Sequence, residues 1–348
     1  MTWVNVPSRG SCYGAAGGIA VKADLGGGAY RAAANGLGGL AGRDWPAWKD
    51  KVVAFLEATK LRSVLLLAFV GLTTGLWARR AAAAAGPSWA GPGAGDVGRS
   101  AALASIILGT IAVGLGSMGA NAITGAIDYR MDAVMMRTRT RPVPTGRLTP
   151  AQSLWFGVGL VAASVVFTLW TGHLWSTVWL LAGVLDVTIL YNGWSKPRTP
   201  WSVVLGSPAG GAPVLVAASA VAGAAGPVAF YLAALVAVWT PIHVWSLAIR
   251  YVDDYRAAGV PMLPVAVGVD QAARCVGWAS LLLCGLAAGL PAVLDLGRWG
   301  SGLLYALQVP IVGASLAVMF RPTPRRSWTL FKLSSPYLAL LFVLVAVA

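Results

Sequence analysis

The sequence predicts an all-α, polytopic integral membrane protein with about nine transmembrane helices. Composition predicts it first: of 348 residues, 57% are hydrophobic and only 11% are charged. A soluble domain carries roughly 25% charged residues, because its outside must be wetted. The mean hydropathy of +0.71 points the same way. The second observation is block length, since a helix needs ~20 apolar residues to cross ~30 Å of hydrocarbon. The third is the distribution of bases, which are dense in every second loop between blocks.

Taken in order, residues 1–50 come before any such block. Clusters such as Gly26-Gly27-Gly28 cannot build a core, and no apolar segment of signal-peptide type is present. The expectation is a disordered or spurious extension over 1–50, with a basic targeting segment as the alternative. Arg43 to Asp50 would form an interfacial approach to a single transmembrane domain over 51–348.

The apolar blocks run 63–78, 101–125, 151–171, 175–192, 201–222, 227–249, 273–294, 301–320 and 329–348. The first reaches spanning length only by extending back through Phe55 or Thr59. The third and fourth are so close that they must form a tight helical hairpin. Pro241 interrupts the sixth and frees the carbonyl of Ala237, which a bundle interior or a cavity must satisfy. Cys12, Cys275 and Cys284 have no metal-like spacing, and the last two read as packing residues. The 16 Trp, many at block ends, fit an aromatic belt.

Charge then orients the chain. There are 26 Lys and Arg against 12 acids, a net charge of +14. In a soluble protein that excess would suggest nucleic acid; its placement here excludes that partner in favour of membrane lipid. With a cytoplasmic N-terminus, the cytoplasmic loops hold Arg130, Arg137, Arg139, Arg141, Arg147, Lys196, Arg198, Arg250 and Arg256, followed by the 321–332 cluster. The opposite loops hold only Arg79, Arg80, Arg99 and Arg298. This is the positive-inside pattern, and it predicts a plasma-membrane protein with its polar site on the cytoplasmic side.

Acids are scarce enough that each placement is informative. At 100° per residue, Asn121, Asp128 and Asp132 lie within about 40° of one another at the end of the second span. Such a stripe of oxygen donors suits a hard cation such as Mg²⁺, which completes its shell with water and phosphate. Arg137, Arg139 and Arg141 follow, and guanidinium groups pair well with phosphate oxygens. The competing reading is a salt-bridge cluster at a helix end. It has to accept two acids set against the unfavourable end of the helix dipole.

A second acidic segment follows the sixth span. On a continuing helix, His243, Arg250 and Asp254 return to one face within about 20°, with Asp253 and Ser246 beside it. Ordinary capping charges and a satisfied core histidine are the competing reading. Two acid-bearing helix ends on one membrane side, with bases between them, fit a metal-diphosphate site.

The stretches DYRMDAVMMRTRTRPVPTGRL, YNGWSKPRTPWSVVLGSPAGGAPVL and WTPIHVWSLAIRYVDDYRAAGVPMLPV carry a resemblance. They resemble the UbiA-type intramembrane prenyltransferases, and within them the protoheme IX farnesyltransferase branch, over about Phe55 to Ala348. Asp253-Asp254-Tyr255 followed by Gly259 to Pro264 is the most specific part, since other branches carry two Asp four apart there. The resemblance implies helices around a central cavity, Mg²⁺ dependence, farnesyl diphosphate as donor, heme B as acceptor and heme O as product. A heme A synthase that receives the product is the implied partner.

The resemblance also implies site roles. Asp128, Asp132 and Asp254 would hold Mg²⁺ and, with His243, carry the catalysis. Lys60, Arg62, Asn121, Arg137, Arg141, Lys196, Arg250, Asp253 and Tyr255 would contact substrate. The chain departs from the pattern at Thr124, where Asn is usual, at Leu61, where Pro is usual, and at Ile242, where Pro usually precedes the His. Asp186, in mid-span, is expected to face the cavity because a charge in lipid is costly. Two other classes stand against this reading. One is a prenyltransferase acting on a quinone-precursor ring, a chlorin or a glycerophosphate; the other is a transporter or scaffold without chemistry.

Overall fold

The computed structural model describes residues 47–85 and 99–348. The region expected to be disordered or spurious lies outside the described residues up to residue 46. Its last four positions already belong to a helix, α1 (Ala47–Ala58). The described residues form no strand.

Nine helical stretches among the described residues are long and apolar enough to cross a bilayer. They are α2 (Leu61–Ala85), α3 (Arg99–Val134), α4 (Pro150–Trp170), and α5 (Leu174–Leu185) with its π-helical continuation Asp186–Ser195. After the short α6 (Ser202–Leu205) come α7 (Pro208–Ala222) and α8 (Pro227–Arg250). The short α9 (Val252–Ala257) and α10 (Leu263–Ala266) lead to α11 (Val269–Ala287), α12 (Leu290–Leu294), α13 (Gly297–Phe320) and α14 (Pro324–Val347). Each apolar block of the sequence has its helix, so the chain is a multi-pass membrane protein.

Helix ends run further than the apolar blocks. α3 has 36 residues, about 54 Å at 1.5 Å each, well beyond ~30 Å of hydrocarbon. Asp128 and Asp132 lie in its last two turns.

The core lies along α7 and α8. Every residue from Gly211 to Ala222 is buried, and α8 buries Leu232, Leu235, Ile242 and Ile249 almost completely. α3 and α4 cross at glycines: a Cβ at Gly157 would stand 2.6 Å from the Gly119 carbonyl oxygen. In lipid no hydrophobic force joins helices, so such close backbone approach supplies the contact. Ser153 Oγ donates to the Ala122 carbonyl at 2.8 Å beside that crossing. Cys275 and Cys284 are free thiols. Trp170, Trp175, Trp194, Trp201 and Trp299 are exposed near span ends, as an aromatic belt requires.

Successive spans put the α3–α4, α5–α7, α8–α11 and α13–α14 connections at one end of the bundle. Single cysteines at Thr140 and Ala257 should therefore react with an impermeant maleimide from the same side of sealed vesicles. A cysteine at Arg298 should react only from the other side. Labelling of Thr140 and Ala257 from opposite sides would contradict this topology.

Candidate active site

Two cavities meet at the loop-rich end of the bundle. The polar one, about 200 Å³, is lined by Lys60, Asp128, Asp132, Arg137, Arg141 and Lys196, among others. Four bases against two acids leave it positively charged.

The two carboxylates come from the end of α3, one turn apart and on one face. Asp128 is 5% exposed and Asp132 4%, so each needs a partner nearby. Arg141 supplies one: its Nη1 donates to both oxygens of Asp132, at 3.0 and 2.8 Å. The loop after α3 folds back tightly to make this contact. Thr138 Oγ1 donates to the Asp132 carbonyl at 3.0 Å, and Thr145 Oγ1 to that of Arg141 at 2.8 Å. Buried Val143 and Leu148 pin the loop against Ala54, Ala58 and Ala122.

Lys196 supplies the other partner. Its Nζ donates to Asp128 Oδ2 and, at 3.2 Å, to Asn192 Oδ1. The π-helical turns before it carry the chain around with i→i+5 bonding. The Lys196 N–H donates to the Tyr191 carbonyl, and Asn192 Nδ2 donates to the Val187 carbonyl. Burial works against the Lys196 ammonium, but the Asp128 carboxylate beside it outweighs burial and raises its pKa.

Lys60 arrives from the α1–α2 turn with φ 51°, a left-handed conformation that costs a non-glycine residue about 1–2 kcal/mol. Asn121 Nδ2 holds that turn by donating to the Thr59 carbonyl at 2.9 Å. Burial, then the neighbouring Arg141 guanidinium, lowers the Lys60 pKa to about 8.

The second cavity, about 620 Å³, is lined mainly by apolar residues such as Leu66, Val113, Leu180, Val216 and Trp239, with His243 in its wall. Asn121, Val187 and Tyr191 line both cavities and form the seam between them. Arg62 stands exposed at the rim of the apolar cavity.

The structure thus gathers Lys60, Asn121, Asp128, Asp132, Arg137, Arg141, Lys196 and Tyr255 around the polar cavity. It does not gather the rest. α8 ends at Arg250, and Tyr251 has non-helical φ −117°, ψ 33°. The face extrapolated from His243 through Arg250 to Asp254 is therefore broken. Arg250 is exposed, and Asp253 pairs with Arg256 at the surface. Asp254 Oδ2 accepts from the Arg137 backbone N–H at 3.1 Å and lies outside the cavity lining. Among the described residues no three His, Cys, Asp or Glu are grouped closely enough to hold a metal, so Asp128, Asp132 and Asp254 do not assemble into one ligand set.

Asp186 lines neither cavity. Its Oδ2 accepts from the Ala209 N–H at 2.8 Å, which satisfies an orphan donor at the positive end of the α7 dipole. Sequence reasoning also missed Asn192 as a site residue. Its position four before Lys196 was the available signal.

The donor set fits a hard divalent cation. Asp128 Oδ1 is buried without a hydrogen-bond partner, Asp132 lies one turn on, and Asn121, Thr124 and Asn192 add neutral oxygens. Mg²⁺ takes such carboxylate oxygens and fills its remaining positions with water and phosphate.

Comparison with known proteins agrees with this geometry. The model of the UbiA prenyltransferase family matches residues 71–341. The protoheme IX farnesyltransferase of Thermoplasma acidophilum is 40% identical over 243 residues, covering 70% of this chain and 84% of the relative. That of Desulforudis audaxviator is 36% identical over 306 residues, covering 86% of this chain and 89% of the relative. A structure of digeranylgeranylglyceryl phosphate synthase superposes with a TM-score of 0.65 at 16% identity, over 85% of this chain and 98% of that one. A UbiA homologue from Archaeoglobus fulgidus bound to GPP and Mg²⁺ superposes at 0.52 and 16% identity, over 85% of this chain and all of that one.

The charge balance yields a pH prediction. Calorimetry of the solubilised protein should show metal-free pyrophosphate binding weaken as pH rises through about 8. Below that pH Lys60 carries the proton that attracts the anion; above it the attraction is lost. Lys60→Met should bind pyrophosphate more weakly and lack this step. An unchanged profile in the variant would assign the step to another group.

Proposed function

The chain belongs to the UbiA prenyltransferase family, and from that premise we propose that it transfers the farnesyl group of farnesyl diphosphate to a vinyl group of protoheme IX, giving heme O. The observation that carries the reading is the pairing of cavities. A small cationic cavity with two carboxylates opens across Asn121 and Tyr191 onto a large apolar one. A prenyl diphosphate has the same division, an anionic head on an apolar chain. The acceptor is read from the heme-farnesylating relatives and from the YVDDYRAAGVPMLPV segment.

Asp128 and Asp132 would hold Mg²⁺, with Asp128 Oδ1 as its free donor. When bound, that ion neutralises charge on the departing diphosphate. Lys60, Arg141 and Lys196 bind the phosphate oxygens and stabilise negative charge as the allylic C–O bond breaks. Arg137 joins them, and Asp254 orients it through the backbone. The apolar cavity holds the farnesyl chain and shields the allylic cation from water. The vinyl carbon attacks that cation, and water adds to the resulting cation beside the ring, losing a proton to leave the hydroxyl. We place the protein in the plasma membrane, with this end of the bundle facing the cytoplasm because it carries most of the bases. A heme A synthase would take the product.

Purified protein given farnesyl diphosphate, Mg²⁺ and heme B should form a heme heavier by one farnesyl group plus one hydroxyl group, detected by mass spectrometry. A quinone-precursor ring in place of heme should give no product. Asp128→Asn and Asp132→Asn should each lower turnover about 100-fold or more, the scale of losing a key electrostatic group, while Arg321→Gln stays near wild type. Prenylation of the ring and not of heme would refute the acceptor. Full activity in both Asp variants would refute the metal site.

A further inference from the structure

His243 is built into the wall of the apolar cavity in a way that catalysis at the diphosphate does not explain. Its ring is sandwiched between Trp239 on α8 and Phe331 on α14, with centroids 4.7 and 4.2 Å away and planes within 22° and 26°. Both faces are covered, so only the edge of the ring is available to a ligand. Nδ1 lies 3.0 Å from Ser334 Oγ and 3.4 Å from Ser335 Oγ. Ser334 Oγ donates its one proton to the Phe331 carbonyl at 2.8 Å. With its proton so placed, Ser334 Oγ presents a lone pair to His243, which favours the tautomer carrying the imidazole proton on Nδ1.

In that tautomer the lone pair of the neutral ring is on Nε2. That atom has no hydrogen-bond partner among the described residues and is not sealed in the protein interior. Ser334 is itself fixed, because Trp239 Nε1 donates to its carbonyl at 2.9 Å. A ring oriented by two aromatic faces, with Nδ1–H bonded to an oxygen and Nε2 bare, is the arrangement of a metal-ligating histidine.

We propose that His243 Nε2 is an axial ligand to the iron of the porphyrin acceptor, anchoring the ring in the apolar cavity while its vinyl edge reaches the Asn121–Tyr191 seam. This rests on the acceptor assigned under Proposed function. It makes His243 a binding residue that distinguishes iron porphyrin from the same ring without metal.

Metal-free protoporphyrin IX tests this, since it keeps the vinyls and propionates and lacks only the iron. Titrated into wild-type protein without farnesyl diphosphate, ferric heme B should bind at least about tenfold tighter than the metal-free ring, since a direct ligand should count for no less than the about tenfold its outer-shell partners do. The heme complex should show the absorption and electron paramagnetic resonance signature of nitrogen ligation. His243→Ala should bring heme to the level of the metal-free ring, and added imidazole should restore the ligated spectrum. Ser334→Ala should weaken heme about tenfold and leave the metal-free ring unchanged. Equal binding of both porphyrins to the wild type would overturn the ligand assignment and leave the acceptor standing. Binding of neither would overturn both.

Discussion

Two carboxylates buried at the end of a membrane helix set the terms for the rest of the polar site. Asp128 and Asp132 are almost inaccessible, and an isolated charge so placed would lose far more in solvation than the fold could return. The solution is one cation for each, Lys196 and Arg141. Each cation reaches its acid only because the backbone is shaped for it. The loop after α3 doubles back on threonine hydrogen bonds, and the fourth span ends in π-helical turns that bring Lys196 and Asn192 around together. The strained Lys60 turn is held by Asn121 from the same helix as the acids. These features look separate in the sequence, and they satisfy one electrostatic demand.

That demand also explains how the site is poised. Four bases surround two acids, so the ion pairs neutralise the carboxylates and still leave cationic surplus for an anion. Lys60 is the adjustable member: burial beside Arg141 lowers its pKa to about 8, and an incoming phosphate would reverse that pressure. Across the seam the chemistry changes to apolar walls with one oriented imidazole. Head and tail of an amphiphilic donor would be sorted by solvation alone, before any specific contact is counted.

Much of this was legible in the sequence. Apolar runs located all the spans because bilayer thickness fixes their length, but they understated the ends. α3 and α11 continue through polar residues outside the apolar runs. Asp128, Asp132, Arg141 and Lys196 stood out because acids are so few. The His243–Arg250–Asp254 face failed because α8 stops at Tyr251, where no Pro or Gly marks a break. Asp186 was read as facing a cavity, since nothing local shows that its carboxylate caps a helix more than twenty residues away. The π-helical turns leave no periodic trace in a segment that is apolar on most sides. The tautomer of His243 depends on a serine 91 positions away, which only the packing of α8 on α14 reveals.

The central claim is that the two ion pairs stand in for a metal–diphosphate complex and yield to it. A structure of the protein with Mg²⁺ and farnesyl thiodiphosphate, an analogue that resists ionisation, tests it most directly. The account predicts Lys196 Nζ and the Arg141 guanidinium on diphosphate oxygens, Asp128 and Asp132 on the metal, and the farnesyl chain in the apolar cavity. Both ion pairs intact, with the diphosphate bound away from α3, would contradict it.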